Sequence, residues 1–367
     1  MIGASLNLIL IVALAFSNGA NDVSKGIATL AGSGVTRLKT AVAWGACWTV
    51  AGGLIAAFVS QGLVQSFSGQ GTLLQAPADH AFFGAVVCGA LIWVSFATCT
   101  GLPVSTTHAI TGALLGAGVT AVGHAGIRWA TLWDKFLVPL AFSPLIALGL
   151  TVAILSAASP FVARLHGYCI CLNREMVSLS NQEAGLVIRP EARLIVDSTS
   201  ACGCAPTVLF RLKALDALHW LSAGGTSFAR GLNDAPKIFG LGLGVSLALG
   251  VETTVSFLLV AGAMGLGSVL AGIRVTETLA QKITPMSPSE GFVANLMTSG
   301  VVIGASCLGL PVSTTHVSSG AIIGLGLARR SQDIHWKTVR ELLLAWVVTL
   351  PVAGLFGGTI YWLLNNS

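Results

Sequence analysis

The octamer GLPVSTTH occurs twice, at Gly101–His108 and Gly309–His316, and no other feature restricts the possible folds as much. Around it, Cys99–Gly118 aligns without a gap on Cys307–Gly326 at an offset of 208, with thirteen of twenty positions identical. A second pair repeats in the same order. FSNGANDVSKGI at Phe16–Ile27 matches FARGLNDAPKIF at Phe228–Phe239 at an offset of 212, sharing Phe, Gly, Asn, Asp and Lys. Two motif pairs in one order at nearly one offset mean two homologous halves. The halves are placed at residues 1–160 and 212–367, joined by a linker at 161–211.

Composition says where such a chain resides. Of its 367 residues 54% are hydrophobic and 9% charged, with a mean hydropathy of +0.83. Soluble domains carry about 25% charged residues, so this is the composition of a polytopic membrane protein. Leu38–Val59, Lys135–Ala158, Val251–Ile273 and Thr338–Leu363 each approach or exceed the roughly 20 residues that a bilayer requires. The first residues lack a basic leader and a small-residue cleavage site, so Met1–Phe16 reads as part of a mature helix. The net charge of +5 is spread among loops, which gives no footprint for nucleic acid.

Each half reads as a helix interrupted at its N-D motif, a clean span, two helices flanking GLPVSTTH, and a last span. The expected fold is therefore an all-α polytopic membrane protein with about five crossings per half and interrupted helices at its centre. An odd count turns the second half over, giving an inverted-topology repeat. Loop charge sets the orientation. With both termini outside, the segments 34–41, 159–213, 274–288 and 329–340 fall in the cytoplasm and hold fourteen of the nineteen lysines and arginines. The outer segments hold only Arg128 and Lys135, and Lys25, Arg230 and Lys237 belong to the motif helices. The positive-inside rule thus predicts a multi-pass cell-membrane protein with a cytoplasmic linker.

Charges at membrane depth are expensive unless they face a partner or a cavity, so Asp22, Lys25, Arg230, Asp234 and Lys237 are candidate functional residues. Gly19, Gly231 and Pro236 are expected to break the helices there, and unwound backbone is tolerated in a membrane only where protein buries it or it lines a cavity. In GLPVSTTH, proline makes a bend before a new helix. Ser105, Thr106, Thr107 and Ser313, Thr314, Thr315 then sit beside free N–H groups at a helix N-terminus, a setting that binds anions. Simple capping of a kinked helix is the alternative for one copy; duplication in step with the N-D motifs favours an oxyanion site. Gly112, Gly116, Gly320 and Gly324 allow a neighbouring helix to come close.

The remaining candidates are less specific. His108 and His316 lack an orienting carboxylate and metal-ligand spacing, so they read as structural or anion-contacting groups, and the chain is not expected to be an enzyme. Glu252 opens a span and is a candidate coupling-ion or proton carrier. Cys169/Cys171 and Cys202/Cys204 form two C-x-C pairs that offer four thiolates for Zn2+. Their spacing is short for such a site, and a cytosolic position argues against disulfides. The intervening LVIRPEARLIV alternates like a short strand pair.

The paired N-D and P-V-S-T-T-H motifs, with a central cytoplasmic loop, resemble the Pit-type inorganic phosphate transporter family over both halves. The resemblance implies secondary active transport: symport of inorganic phosphate coupled to Na+ or H+, by alternating access, without an enzymatic cofactor. It also implies a homodimer in the lipid bilayer. On that reading Asn21, Asn233 and Lys237 join the six hydroxyl residues in binding the anion. Asp22 and Asp234 serve the coupling ion, and Lys25 and Arg230 compensate charge. Lys25 stands where the family has a small or amide residue, and Arg230 where histidine is common, which favours proton coupling over sodium. Sulfate permeation by the same fold, or an anion channel, are the alternatives. Phosphate can donate a hydrogen bond to an aspartate and sulfate cannot, which favours phosphate.

Overall fold

Nothing between Ile2 and Gly32 forbids a helix, yet the chain breaks once there, at Val23, separating α1 (Ile2–Asp22) from α2 (Ser24–Gly32). The break frees the carbonyl of Asn21, which accepts hydrogen bonds from Ser24 Oγ at 3.0 Å and Lys25 Nζ at 2.8 Å. After α3 (Leu38–Val59) and the short α4 (Gln61–Phe67) come α5 (His80–Thr100) and α6 (Thr106–Val122). A helical turn, α7 (Trp129–Thr131), and a π-helical segment (Leu132–Leu137) lead into α8 (Val138–Leu165). The second half contains α9 (Ala214–Ala248), α10 (Thr253–Ala271), α11 (Ile273–Gln281), α12 (Pro288–Cys307), α13 (Thr314–Ala328) and α14 (Trp336–Asn366). This computed structural model describes residues 2–69, 71–75, 77, 79–181, 185–199, 208–281, 283–329 and 334–366.

Six helical stretches among the described residues are long and apolar enough to cross a membrane: Gly3–Gly32, Leu38–Val59, His80–Thr100, Trp129–Ala157, Thr253–Ala271 and Trp336–Asn366. The linker adds a three-stranded sheet, ordered β2-β1-β3, to this helical body. It consists of β1 (Tyr168–Asn181), β2 (Gly185–Ser198) and β3 (Val208–Lys213), all antiparallel. LVIRPEARLIV is thus one long strand rather than a strand pair. Its partner is β1, in register from Tyr168↔Ser198 to Asn181↔Gly185.

The expectation of two interrupted helices holds only for the first half. α9 runs unbroken through Gly231 and Pro236. Proline removes one donor, the bond to the carbonyl four residues back. That carbonyl, of Leu232, accepts a hydrogen bond from Ser60 Oγ at 3.2 Å. Gly19 and Gly231 act as seats rather than breaks. A Cβ at Gly19 would lie 1.9 Å from the Met264 carbonyl oxygen on α10, and one at Gly231 2.1 Å from that of Thr49 on α3.

Contacts fix the helix directions. Thr29 meets His219, Asn18 meets Asp234 and Ile11 meets Gly242, so α1–α2 and α9 run antiparallel. α5 runs alongside α1, with Asn7 at His80 and Asn21 at Thr98. The α5–α6 pair turns back beside Asn21, one helix short of the end of α2, and so enters and leaves by one face. Gly3 packs on His80, and Phe82 on Tyr361, bringing the start of α1 and the end of α14 to the same face.

The two sequence halves interlock. α6 packs on α14, where a Cβ at Gly116 would come within 1.9 Å of the Gly354 carbonyl oxygen. α13 packs in the same manner on α8, with Gly320 against the Pro144 carbonyl. Lipid offers no hydrophobic drive for helix association, so such small-residue contacts and interhelical hydrogen bonds hold the bundle.

Candidate functional site

Each GLPVSTTH copy crosses from one helix to the next as extended chain, Leu102–Val104 and Leu310–Val312, before a new helix starts at Thr106 or Thr314. Buried extended backbone needs partners for its polar groups. The N-D motifs and the opposite hairpin supply them. Asn21 donates through Nδ2 to the Leu102 carbonyl at 3.0 Å and accepts through Oδ1 from Val104 N at 3.2 Å. Asn233 Nδ2 donates to the Val312 carbonyl at 3.1 Å. The hairpins also hold each other: Thr107 Oγ1 donates to the Val312 carbonyl at 3.2 Å, and Thr315 Oγ1 to the Val104 carbonyl at 2.8 Å.

The charges gather beside these tips. Lys25 Nζ lies among three oxygens, the Asn21 carbonyl at 2.8 Å, Asn21 Oδ1 at 2.9 Å and Asp22 Oδ1 at 2.8 Å. Lys237 Nζ also has three, Thr107 Oγ1 at 2.7 Å, the Val312 carbonyl at 2.8 Å and Asp234 Oδ1 at 3.2 Å. Asp22 Oδ2 accepts from Asn18 Nδ2 at 2.9 Å and Thr106 Oγ1 at 3.2 Å, and Asn18 Nδ2 also reaches Asp234 Oδ2 at 3.3 Å. All of these side chains are buried.

Arg230 differs from the rest. It is wholly buried, and its Nε and both terminal nitrogens have no hydrogen-bond partner. The carboxylates of Asp22 and Asp234 attract it electrostatically without bonding to it. A buried guanidinium with its donors empty costs several kcal/mol, and its planar fork matches an oxyanion bidentately. The cluster has three cations, Lys25, Arg230 and Lys237, against two carboxylates, Asp22 and Asp234. It therefore carries a surplus positive charge when all are ionised.

The structure gives several predicted residues other positions or partners. Ser105 and Ser313 are N-caps, accepting from the backbone N–H of His108 at 3.1 Å and of His316 at 3.2 Å. Thr314 is buried at the start of α13. Asn21 and Asn233 have their amides committed to the hairpin backbone. Glu252 is not brought to the cluster; it is exposed at the N-cap of α10, just after the turn at Gly250 that ends α9. The His108 and His316 rings meet at a tilt, centroids 4.4 Å apart, and His316 stacks on Trp346 at 3.9 Å. Asn18 escaped the sequence reading, although the offset of 212 pairs it with Arg230.

Cys169 and Cys171 lie on one face of β1, as i and i+2 must in a strand, with sulfurs 3.5 Å apart. Each is disulfide-bonded, though at 3.5 Å not to the other, contrary to the expectation of reduced thiols. Cys202 and Cys204, the other half of the expected zinc set, lie outside the described residues. Among the described residues no group of three or more His, Cys, Asp or Glu is placed to hold a metal.

Paired buried charges where antiparallel helices meet two hairpins, in a chain with six membrane-length apolar helices among the described residues, define a multi-pass membrane protein. The phosphate transporter family model matches residues 18–357, and the chain belongs to that family. A probable low-affinity inorganic phosphate transporter of Rhizobium meliloti (strain 1021) is 31% identical over 94% of this chain and 92% of its own length. One of the same description from Bacillus subtilis (strain 168) is 27% identical over 98% of this chain and 96% of its own length. Among solved structures, one described as the sodium-dependent phosphate transporter shares the fold. Its TM-score is 0.80 at 22% identity, and the match covers 100% of both chains. The named relatives are transporters rather than enzymes, and they give the sulfate alternative no support.

Proposed function

We propose that this chain imports inorganic phosphate by cation-coupled symport, alternating access between its two antiparallel halves. The linker is cytoplasmic and both termini are outside. The observation that carries this reading is Arg230, a buried guanidinium with every nitrogen unpartnered at the meeting point of the duplicated motifs. A phosphate monoanion would fill that fork, offset the surplus charge, and lie near the N-terminal ends of α6 and α13. Its own hydroxyl would donate to Asp22 or Asp234, which sulfate cannot do.

The proton is the coupling ion that the geometry favours. Both carboxylates already hold an ammonium, Asp22 with Lys25 at 2.8 Å and Asp234 with Lys237 at 3.2 Å. A sodium ion at either place would sit against a fixed like charge, whereas a proton neutralises the carboxylate itself. Uptake of labelled phosphate into proteoliposomes, with sodium and proton gradients imposed separately, tests both parts. Accumulation against a gradient, driven by the proton gradient alone, is expected. Flux that only equilibrates under either gradient would overturn coupled symport, and sulfate uptake indifferent to excess phosphate would overturn the substrate.

A further inference from the structure

The two cations of the linker-distal loops, Arg128 and Lys135, are far from the buried cluster in sequence and have no role in it. The structure brings both to one polar cleft of about 400 Å³, lined also by Gly62 and Gln65 of α4 and by Leu310 of the second hairpin. Both cations are exposed, and neither makes an ion pair among the described residues. Leu310 is two residues from Val312, whose carbonyl holds Lys237 and Asn233. The cleft therefore abuts the hairpin that closes the cluster on that side. Trp129 and Trp133, exposed beside Arg128 and Lys135, mark the membrane interface there.

The other half supplies a comparison. At an offset of 212, Gly62 and Gln65 of α4 correspond to Arg274 and Glu277 of α11. These two residues line a cleft of about 440 Å³ with Thr98 and Cys99 of the first hairpin. There Arg274 donates to the Cys99 carbonyl, and Glu277 balances its charge. The lining of the first cleft thus includes two cations and no acidic residue, and that of its counterpart one cation and one carboxylate.

We infer that the Arg128–Lys135 cleft is a first-contact site for the oxyanion, which captures phosphate from the linker-distal side before it reaches Arg230. This inference rests on the phosphate reading above. A cationic cleft concentrates anions at its mouth and raises their rate of entry, an effect that added salt screens.

The test uses the full chain in two assays. Neutralising both cations, Arg128→Gln with Lys135→Gln, is expected to raise the half-saturation concentration for phosphate uptake about tenfold at low ionic strength and to flatten its salt dependence. Wild-type half-saturation and salt dependence in that variant would overturn the inference. The second assay needs no transport. In purified protein with its native cysteines replaced, inorganic phosphate is expected to protect Gln65→Cys from a thiol reagent even when Arg230→Gln is present. That protection should vanish when Arg128 and Lys135 are neutralised. No protection in the Arg230→Gln protein, or protection indifferent to Arg128 and Lys135, would overturn the inference. Absence of phosphate uptake by the wild type would instead refute the substrate assignment, which this labelling reads separately.

Discussion

Arg230 occupies in the second half the place that Asn18 holds in the first, and this one exchange supplies the surplus charge of the cluster. Charge-assisted bonds contribute about 1.5–3 kcal/mol, so Arg230→Gln should weaken phosphate binding about ten- to a hundredfold. Arg230→Lys, which keeps the charge but loses the fork, should fall between. Equilibrium binding of labelled phosphate measures both, and unchanged affinity in Arg230→Gln would remove it from the site. Lys25 presents a different case. Its ammonium sits among three oxygens of the type that bind sodium, tethered to the chain. Lys25→Met strands Asp22 at a cost of about 3–5 kcal/mol, which a free cation can offset. The variant's melting temperature should therefore rise with sodium while that of the wild type does not. A variant insensitive to sodium would show that Lys25 is not a resident counter-ion. These residues were legible as intramembrane charges. Their partners were not, because the interruption at the N-D motif was expected from sequence but the groups that meet it come from distant helices.

At the level of elements, the two motif helices show how one ancestral pattern yields two backbones. In the first half the chain breaks and Lys25 satisfies the freed carbonyl; in the second, Pro236 leaves the helix whole because Ser60 bonds the Leu232 carbonyl. Ser60→Ala should cost about 1–3 kcal/mol by orphaning that buried acceptor. Pro236→Ala added to it restores the missing donor, so the double variant should recover most of the lost melting temperature. If the two changes simply add, Ser60 has another role. Pro236 signals a helix break on sequence grounds, and the reading failed because the compensating hydroxyl comes from Ser60, between α3 and α4 and 176 residues earlier. The small-residue pattern of α6 and α13 was clearer. Gly112 and Gly116 do receive α14, and Gly320 and Gly324 receive α8.

For the whole molecule, antiparallel pairing of α1–α2 with α9 puts both described ends on one face and the linker on the other. The orientation proposed above puts that shared face outside. A cysteine at Asn366 should therefore react with a membrane-impermeant reagent on intact cells whose native thiols are blocked, and one at Thr199 only after permeabilisation. The reverse pattern would invert the orientation and make the Arg128–Lys135 cleft an inner mouth. The sequence by itself determined the membrane setting, the duplication and the identity of the buried charges, because apolar length, repetition and intramembrane charge can be read without knowing the packing. Only the tertiary structure decided which donors are spent and which are free. The serines cap helices, the asparagines clamp extended backbone, Glu252 stands outside, and Arg230 alone among the clustered cations keeps its nitrogens empty. Those outcomes depend on which group of a distant helix arrives within 3 Å, and hydrogen bonding at that range is set by packing rather than by pattern.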